Sequence, residues 1–208
     1  REGNARAARH GDEVHRGVGA AAQGHLHARG VVEGVGREQR ARRAHAARRQ
    51  PAAGDLRMIM MILKTITDLE RIGDEATKIA RTALRINEDN RMTKLRFSEV
   101  KTMVEVVRQM LRTSLDSFAR MDVSKTVEIA KKDELVDEQY RSTIRQLVTF
   151  MLEDPRTISM SLEVMFVAKA IERIGDHAKN ISEYIVYTVK GKDIRHASIK
   201  EIQKTIKE

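Results

Sequence analysis

The sequence predicts an all-α fold in two repeated parts, and three observations carry that expectation. The stretch Leu69-Glu70-Arg71-Ile72-Gly73-Asp74 returns as Ile171-Glu172-Arg173-Ile174-Gly175-Asp176, so that Glu172 follows Glu70 and Asp176 follows Asp74 by the same 102 residues. That period is far longer than a solenoid's, so each copy reads as one supersecondary unit of a two-part protein. Second, 33% of the residues are charged and only 3% aromatic, a balance typical of long amphipathic helices. Third, apolar or small residues step by four and three through each copy. They are Ile62, Ile66, Leu69, Gly73, Ala76, Ala80 and Ala83 in the first, and Val164, Ala168, Ile171, Gly175, Ala178, Ser182, Ile185 and Val189 in the second. That is the spacing of one face of a helix.

Residues 1–46 stand apart. They contain no Ile, Met, Phe, Tyr, Lys, Ser or Thr and a single Leu, yet hold eight of the twelve Gly and five of the seven His. Glycines at 17, 19, 24, 30, 34 and 36 interrupt every helical window, and such a composition buries too little apolar surface to offset chain entropy. The missing residue types are largely those with A/T-rich codons. The segment therefore reads as a shifted reading frame of GC-rich DNA, with a basic disordered arm as the alternative. His10, His15, His25, His27 and His45 are too irregularly spaced for a metal cluster.

From residue 47 the pattern changes. Pro51 and Gly54 make a turn, and Asp55 is placed to cap a helix from Leu56 to about Ile86, followed by a polar linker at Asn87–Arg91. A second helix is expected over Lys94–Met121, with a core stripe at Val100, Val104, Val107, Leu111, Leu115 and Phe118. Asp122 is placed to cap a third, reaching Leu152. Asp154-Pro155 then breaks the chain. A long last helix carries the second motif to about Lys190, and a short amphipathic piece follows at Ile199–Ile206. In domain terms, 47–90 is the remnant of a first repeat and 91–208 a second.

Charge and composition exclude several functions. The formal charge of +9 is concentrated at the start, where residues 1–49 hold 11 Arg against 5 acids. The rest is nearly balanced, so no nucleic-acid partner is read from it; a DNA-binding role would rest on the arm alone. Without Cys there is no disulfide and no thiolate site. No apolar run approaches 20 residues and no signal peptide is readable, which points to a cytoplasmic protein. No phosphate-cradling glycine loop and no nucleophile–His–acid set is present.

What remains is carboxylate chemistry. On a helix, i and i+4 lie on one face, so Glu70 pairs with Asp74 and Glu172 with Asp176. The stripe Ala130, Asp133, Asp137, Tyr140, Ile144, Leu147, Met151 places two more acids at i and i+4 on an otherwise apolar face. Acids there need a partner. Either Arg141, Lys179 or Arg173 pairs with them, or, on helices folding back antiparallel, four carboxylates converge on a hard cation; iron, manganese, magnesium and calcium all suit such oxygens. Asn180 could add a carbonyl oxygen, whereas His177 points away from Asp176 and reads as a surface or supporting residue. A glycine at the same place in both motifs implies close approach of a neighbouring helix, since Gly costs a helix about 1 kcal/mol relative to Ala.

With both Glu-Arg-Ile-Gly-Asp copies, Arg49-Gln50-Pro51-Ala52-Ala53-Gly54-Asp55-Leu56-Arg57 and the corner Glu153-Asp154-Pro155-Arg156, the chain resembles the PhoU family of phosphate-uptake regulators over about residues 47–190. The resemblance implies two tandem three-helix bundles, the first incomplete here because residues 1–46 contain no readable helices. It implies metal at Glu70 and Asp74, at Glu172 and Asp176, and at Asp133 and Asp137. It also implies a non-catalytic, cytoplasmic homodimer, peripheral to membrane complexes. Such a protein joins the ATPase subunit of the phosphate ABC transporter to the phosphate-sensing histidine kinase and restrains both when phosphate is ample. A metal-storage or metal-dependent helical-bundle enzyme is the alternative, weakened by the absence of a Glu-x-x-His ligand pair.

Overall fold

The computed structural model describes residues 53–88 and 98–208, and these described residues form five helices. They are α1 (Ala53–Glu88), α2 (Ser98–Arg120), α3 (Thr126–Glu153), α4 (Ile158–Lys190) and α5 (Ile199–Lys207), with a 3-10 turn at Pro155–Thr157. Every regular element among the described residues is helical, as the periodicity requires. The anomalous segment 1–46 and the stretch 89–97 lie outside them.

The helix boundaries follow local chemistry. At the Asp154-Pro155 break the Asp154 side chain accepts from the Arg156 backbone N–H at 3.0 Å. Gly191 ends α4 at φ +70°, a left-handed position suited to glycine. Ser198 and Glu201 close a capping box that starts α5. Two expected caps differ. Asp55 lies in the first turn of α1, inside the helix. Asp122 accepts from Ser124 N at 2.8 Å and so builds the α2–α3 turn, while α3 begins at Thr126.

The core is organised by α4, which touches α1, α2 and α3. Seven of the eight expected stripe residues on α4, Val164 through Ile185, are buried; Val189 at the helix end is 45% exposed. Because three helices surround α4, a second face is buried as well, including Ala170, His177, Ile181, Glu183 and Val186. Ile181 and Ile185 pack with Met61 and Ile72 of α1. Fully burying one such side chain stabilises the fold by about 1.5–3 kcal/mol.

On α2 the buried face is Met103, Val107, Met110, Ser114 and Ser117, so the expected stripe is turned: Val104 and Leu115 are 41% and 37% exposed. Met103 and Met110 join the core that α2 builds with α3 and α4. Opposite them sits Gly175, where an added Cβ would lie 3.4 Å from Val107 Cγ2 and 3.8 Å from Val136 Cγ1. The close approach expected at this glycine is present. At Gly73 it is absent among the described residues, with nothing within 4 Å of an added Cβ.

That asymmetry reflects how α1 packs. It runs antiparallel to α4, as the pairs Met61 with Ile185, Asp68 with His177 and Arg85 with Glu163 require. The face it buries is Met61, Thr65, Asp68, Ile72, Glu75 and Thr82. Its apolar stripe lies one step round and is only partly covered, with Ala76 and Ala83 exposed. The helix is held to α4 by the apolar cluster of Met61 and Ile72 with Ile181 and Ile185 and, alongside it, by a polar seam.

Candidate metal centre

Two helices position the four acids of the second half. Glu172 and Asp176 project from one face of α4, Asp133 and Asp137 from one face of α3, and the two helices pack together. The acids feel one another. Burial, then Glu172, Asp133 and Asp137, push the Asp176 carboxyl up to about 6, although the residue as a whole is exposed. Crowded carboxylates raise one another's pKa because each resists a second negative charge nearby.

Two lysines now balance that charge. Lys179 Nζ donates to Asp133 Oδ2 at 2.6 Å, and Lys169 Nζ donates to Glu172 Oε1 at 2.7 Å. Arg141 reaches Asp137 at 3.8 Å. Burial is the largest single influence on Asp133, whose carboxyl stays raised although Lys179 lowers it, while the same bond raises Lys179 against its own burial. A simple ion pair would lower the acid; the neighbouring Asp137 and Glu134 help keep it high. Glu172 Oε2 is buried, lies 2.6 Å from Lys169 Nζ, and still lacks a partner in hydrogen-bond geometry.

Among the described residues no three His, Asp or Glu side chains stand close enough to hold one ion. Lys179 and Lys169 each answer one of the four carboxylates and Glu172 keeps a buried oxygen without a hydrogen bond, while in atom type the four suit a hard cation. Glu172, Asp176, Asp133 and Asp137 are the residues that would hold it. In the first half Glu70 and Asp74 are both exposed among the described residues.

The most buried charges lie elsewhere, between α1 and α4. His177 is 7% exposed, not a surface residue, and its Nδ1 lies 2.8 Å from Oδ1 of Asp68, which is 1% exposed. Asp68 Oδ2 and His177 Nε2 are buried without hydrogen-bond partners among the described residues. Burial, followed by Asp68, pushes the nearby Tyr184 phenol up. Glu75 is 4% exposed, and its Oε1 takes Lys78 at 2.9 Å and Arg173 at 3.1 Å. Arg173 thus serves α1 and not the acids of α3. Sequence reasoning missed this seam, although one signal was available: Glu75 and His177 occupy the same place in the two motifs, directly after the aspartate.

A family model described as "PhoU domain" matches residues 37–83 and 100–185, beginning inside the anomalous segment. The chain is 49% identical over 156 residues to a phosphate-specific transport system accessory protein PhoU homolog of Pseudomonas putida, covering 75% of this chain and 60% of that one. It is 47% identical over 160 residues to the phosphate-specific transport system accessory protein PhoU of Escherichia coli, covering 77% and 66%. The chain thus spans less than two thirds of the curated relatives it matches. The crystal structure of PhoU from Pseudomonas aeruginosa aligns with a TM-score of 0.70 at 40% identity, over 81% of this chain and 82% of that one. The corresponding protein of Streptococcus pneumoniae aligns at 0.65 and 27% identity, over 78% and 77%.

Proposed function

The chain belongs to the PhoU family, and from that premise we propose that it is a regulatory accessory protein of phosphate uptake that works by binding, without catalysis. The single observation that carries this reading is the family match across both motif copies, with relatives named as accessory proteins of the phosphate-specific transport system. In this proposal the protein is a cytoplasmic homodimer. It docks on the ATPase subunit of the phosphate ABC transporter and on the phosphate-sensing histidine kinase, holding both in check when phosphate is ample. No helix among the described residues is long and apolar enough to cross a membrane, which suits a protein that works from the surface of membrane complexes. Rigid helices presenting charged faces suit docking more than turnover.

A hard cation belongs to the same proposal. Held by Glu172, Asp176, Asp133 and Asp137, it would supply positive charge that Lys169 and Lys179 supply in its absence, and would fix α3 against α4. Glu70 and Asp74 would hold a second ion once acids from elsewhere joined them.

Affinity purification of the tagged chain from cells grown in ample phosphate tests the adaptor. The transporter ATPase subunit and the kinase are expected among the captured proteins, and recovery of neither would refute it. Elemental analysis of the desalted protein beside Glu172→Gln/Asp176→Asn tests the metal separately. Metal kept by the parent and lost by the variant is expected; none in either assigns these acids to their lysines alone.

A further inference from the structure

A cleft of ≈ 190 Å³ lies between the start of α1 and the end of α4, with the segment after α4 at its rim. Met60, Met61, Tyr184 and Tyr187 give it apolar and aromatic walls, and Met60 and Tyr187 are each 42% exposed. Its charged lining groups are Lys64, Glu183, Asp193 and Arg195. Asp193 and Arg195 satisfy each other, since Arg195 Nε donates to both carboxylate oxygens at 3.0 Å. Lys64 Nζ stands 5.2 Å from the centre of the Tyr184 ring. Glu183 differs from all of these. It is only 7% exposed, it lines the cleft, and no hydrogen bond from the described residues reaches its carboxylate. Burial and the charges of Lys179, Asp133, Asp193 and Arg195 are what act on it, and Lys179 is itself bonded to Asp133.

A carboxylate withdrawn from water without a donor is destabilising. A ligand that brings N–H donors and a positive charge removes that cost. The aromatic wall suits the same ligand, because a cation over a tyrosine ring is attracted by the ring's quadrupole; Lys64 already holds an ammonium against this wall. The two methionines offer adaptable apolar surface to an alkyl chain. The volume is below that of drug-sized pockets, so the ligand has only a few heavy atoms. We propose that this cleft binds a small primary amine, its ammonium donating to Glu183 beside the Tyr187 ring and its methylenes against Met60 and Met61. The site does not depend on the docking role proposed above.

Isothermal titration of the full chain with butylamine and with n-butanol, in mildly alkaline buffer at constant salt, tests this. Butylamine, protonated there, is expected to bind saturably and at least about tenfold more tightly than n-butanol, the margin of a charge-assisted hydrogen bond. Glu183→Gln should remove that margin, and Tyr187→Leu should weaken butylamine about threefold. Asp116→Asn, on an exposed side chain of α2, should leave it unchanged. Melting followed by circular dichroism verifies that each variant is folded. The proposal is overturned if butylamine does not bind, binds no more tightly than n-butanol, or binds Glu183→Gln as well as the parent. It is equally overturned if Nα-acetyllysine amide binds and butylamine does not, which would assign the cleft to a lysine of a partner protein.

Discussion

Replacing Glu183 by Gln should stabilise the protein, and only above a defined pH. Glu183 is 7% exposed. Burial pushes its carboxyl up to about 7 from 4.5; Lys179 and Arg195 pull it down, and Asp133 and Asp193 oppose them. In the unfolded chain the group releases its proton near the ordinary value. Between those two values the folded state binds the extra proton, so stability falls as pH rises through this window and stays low above it. At 1.36 kcal/mol per pKa unit the full penalty is about 3 kcal/mol, taken as about 2–3 after partial screening. Glutamine has a similar shape and no charge to bury, so it escapes the loss. Urea unfolding followed by circular dichroism at about pH 4 and about pH 8 measures it. The variant and parent should agree to about 0.5 kcal/mol in acid, and the variant should be more stable by about 2–3 kcal/mol in base. In melting temperature that is about 5–10 °C for a chain of this length. A difference independent of pH, or a variant less stable in base, would show that the carboxylate is held by hydrogen bonds that outweigh its burial.

Two further outcomes follow from equivalent positions of the repeat and from the polar seam. Gly73→Ala should gain about 1 kcal/mol, because among the described residues nothing lies within 4 Å of the new methyl and helix propensity improves. Gly175→Val should lose about 1–3 kcal/mol, because branches beyond a Cβ already 3.4 Å from Val107 overfill the core; thermal melts of both variants check the contrast. Asp68→Ala should cost about 1–3 kcal/mol by leaving His177 Nδ1 buried without its hydrogen-bond partner. Equal stability of that variant and the parent would mean the seam contributes nothing to holding α1 on α4.

Much of the fold was legible in periodicity. The stripe on α4 named seven residues that are buried, and the Asp154-Pro155 break and the stop at Gly191 stand where local chemistry put them. Where reading failed, the cause was a neighbour distant in sequence. On α2, serines and methionines are buried in place of Val104 and Leu115, because the space between α3 and α4 selects shape over hydropathy. On α1 the apolar stripe is the half-covered face, and a polar one is buried against α4. No pattern within α1 could announce that, since Asp68 and Glu75 are tolerable inside only once His177, Lys78 and Arg173 meet them.

The acids divide in the same way. Their i, i+4 pairing on α3 and α4 is a property of the chain, because helical geometry puts those side chains on one face whatever surrounds them. Which cation answers them is not. Lys179 reaches Asp133 across 46 positions of sequence, and Arg173, equally placed by sequence to do so, crosses to Glu75 instead. The sequence by itself determined the helices, the duplication and the family, since these depend on local order and spacing. Only the tertiary structure decided which faces are covered and which charges are paired, since burial and Coulomb attraction act between groups that folding alone brings within a few ångströms.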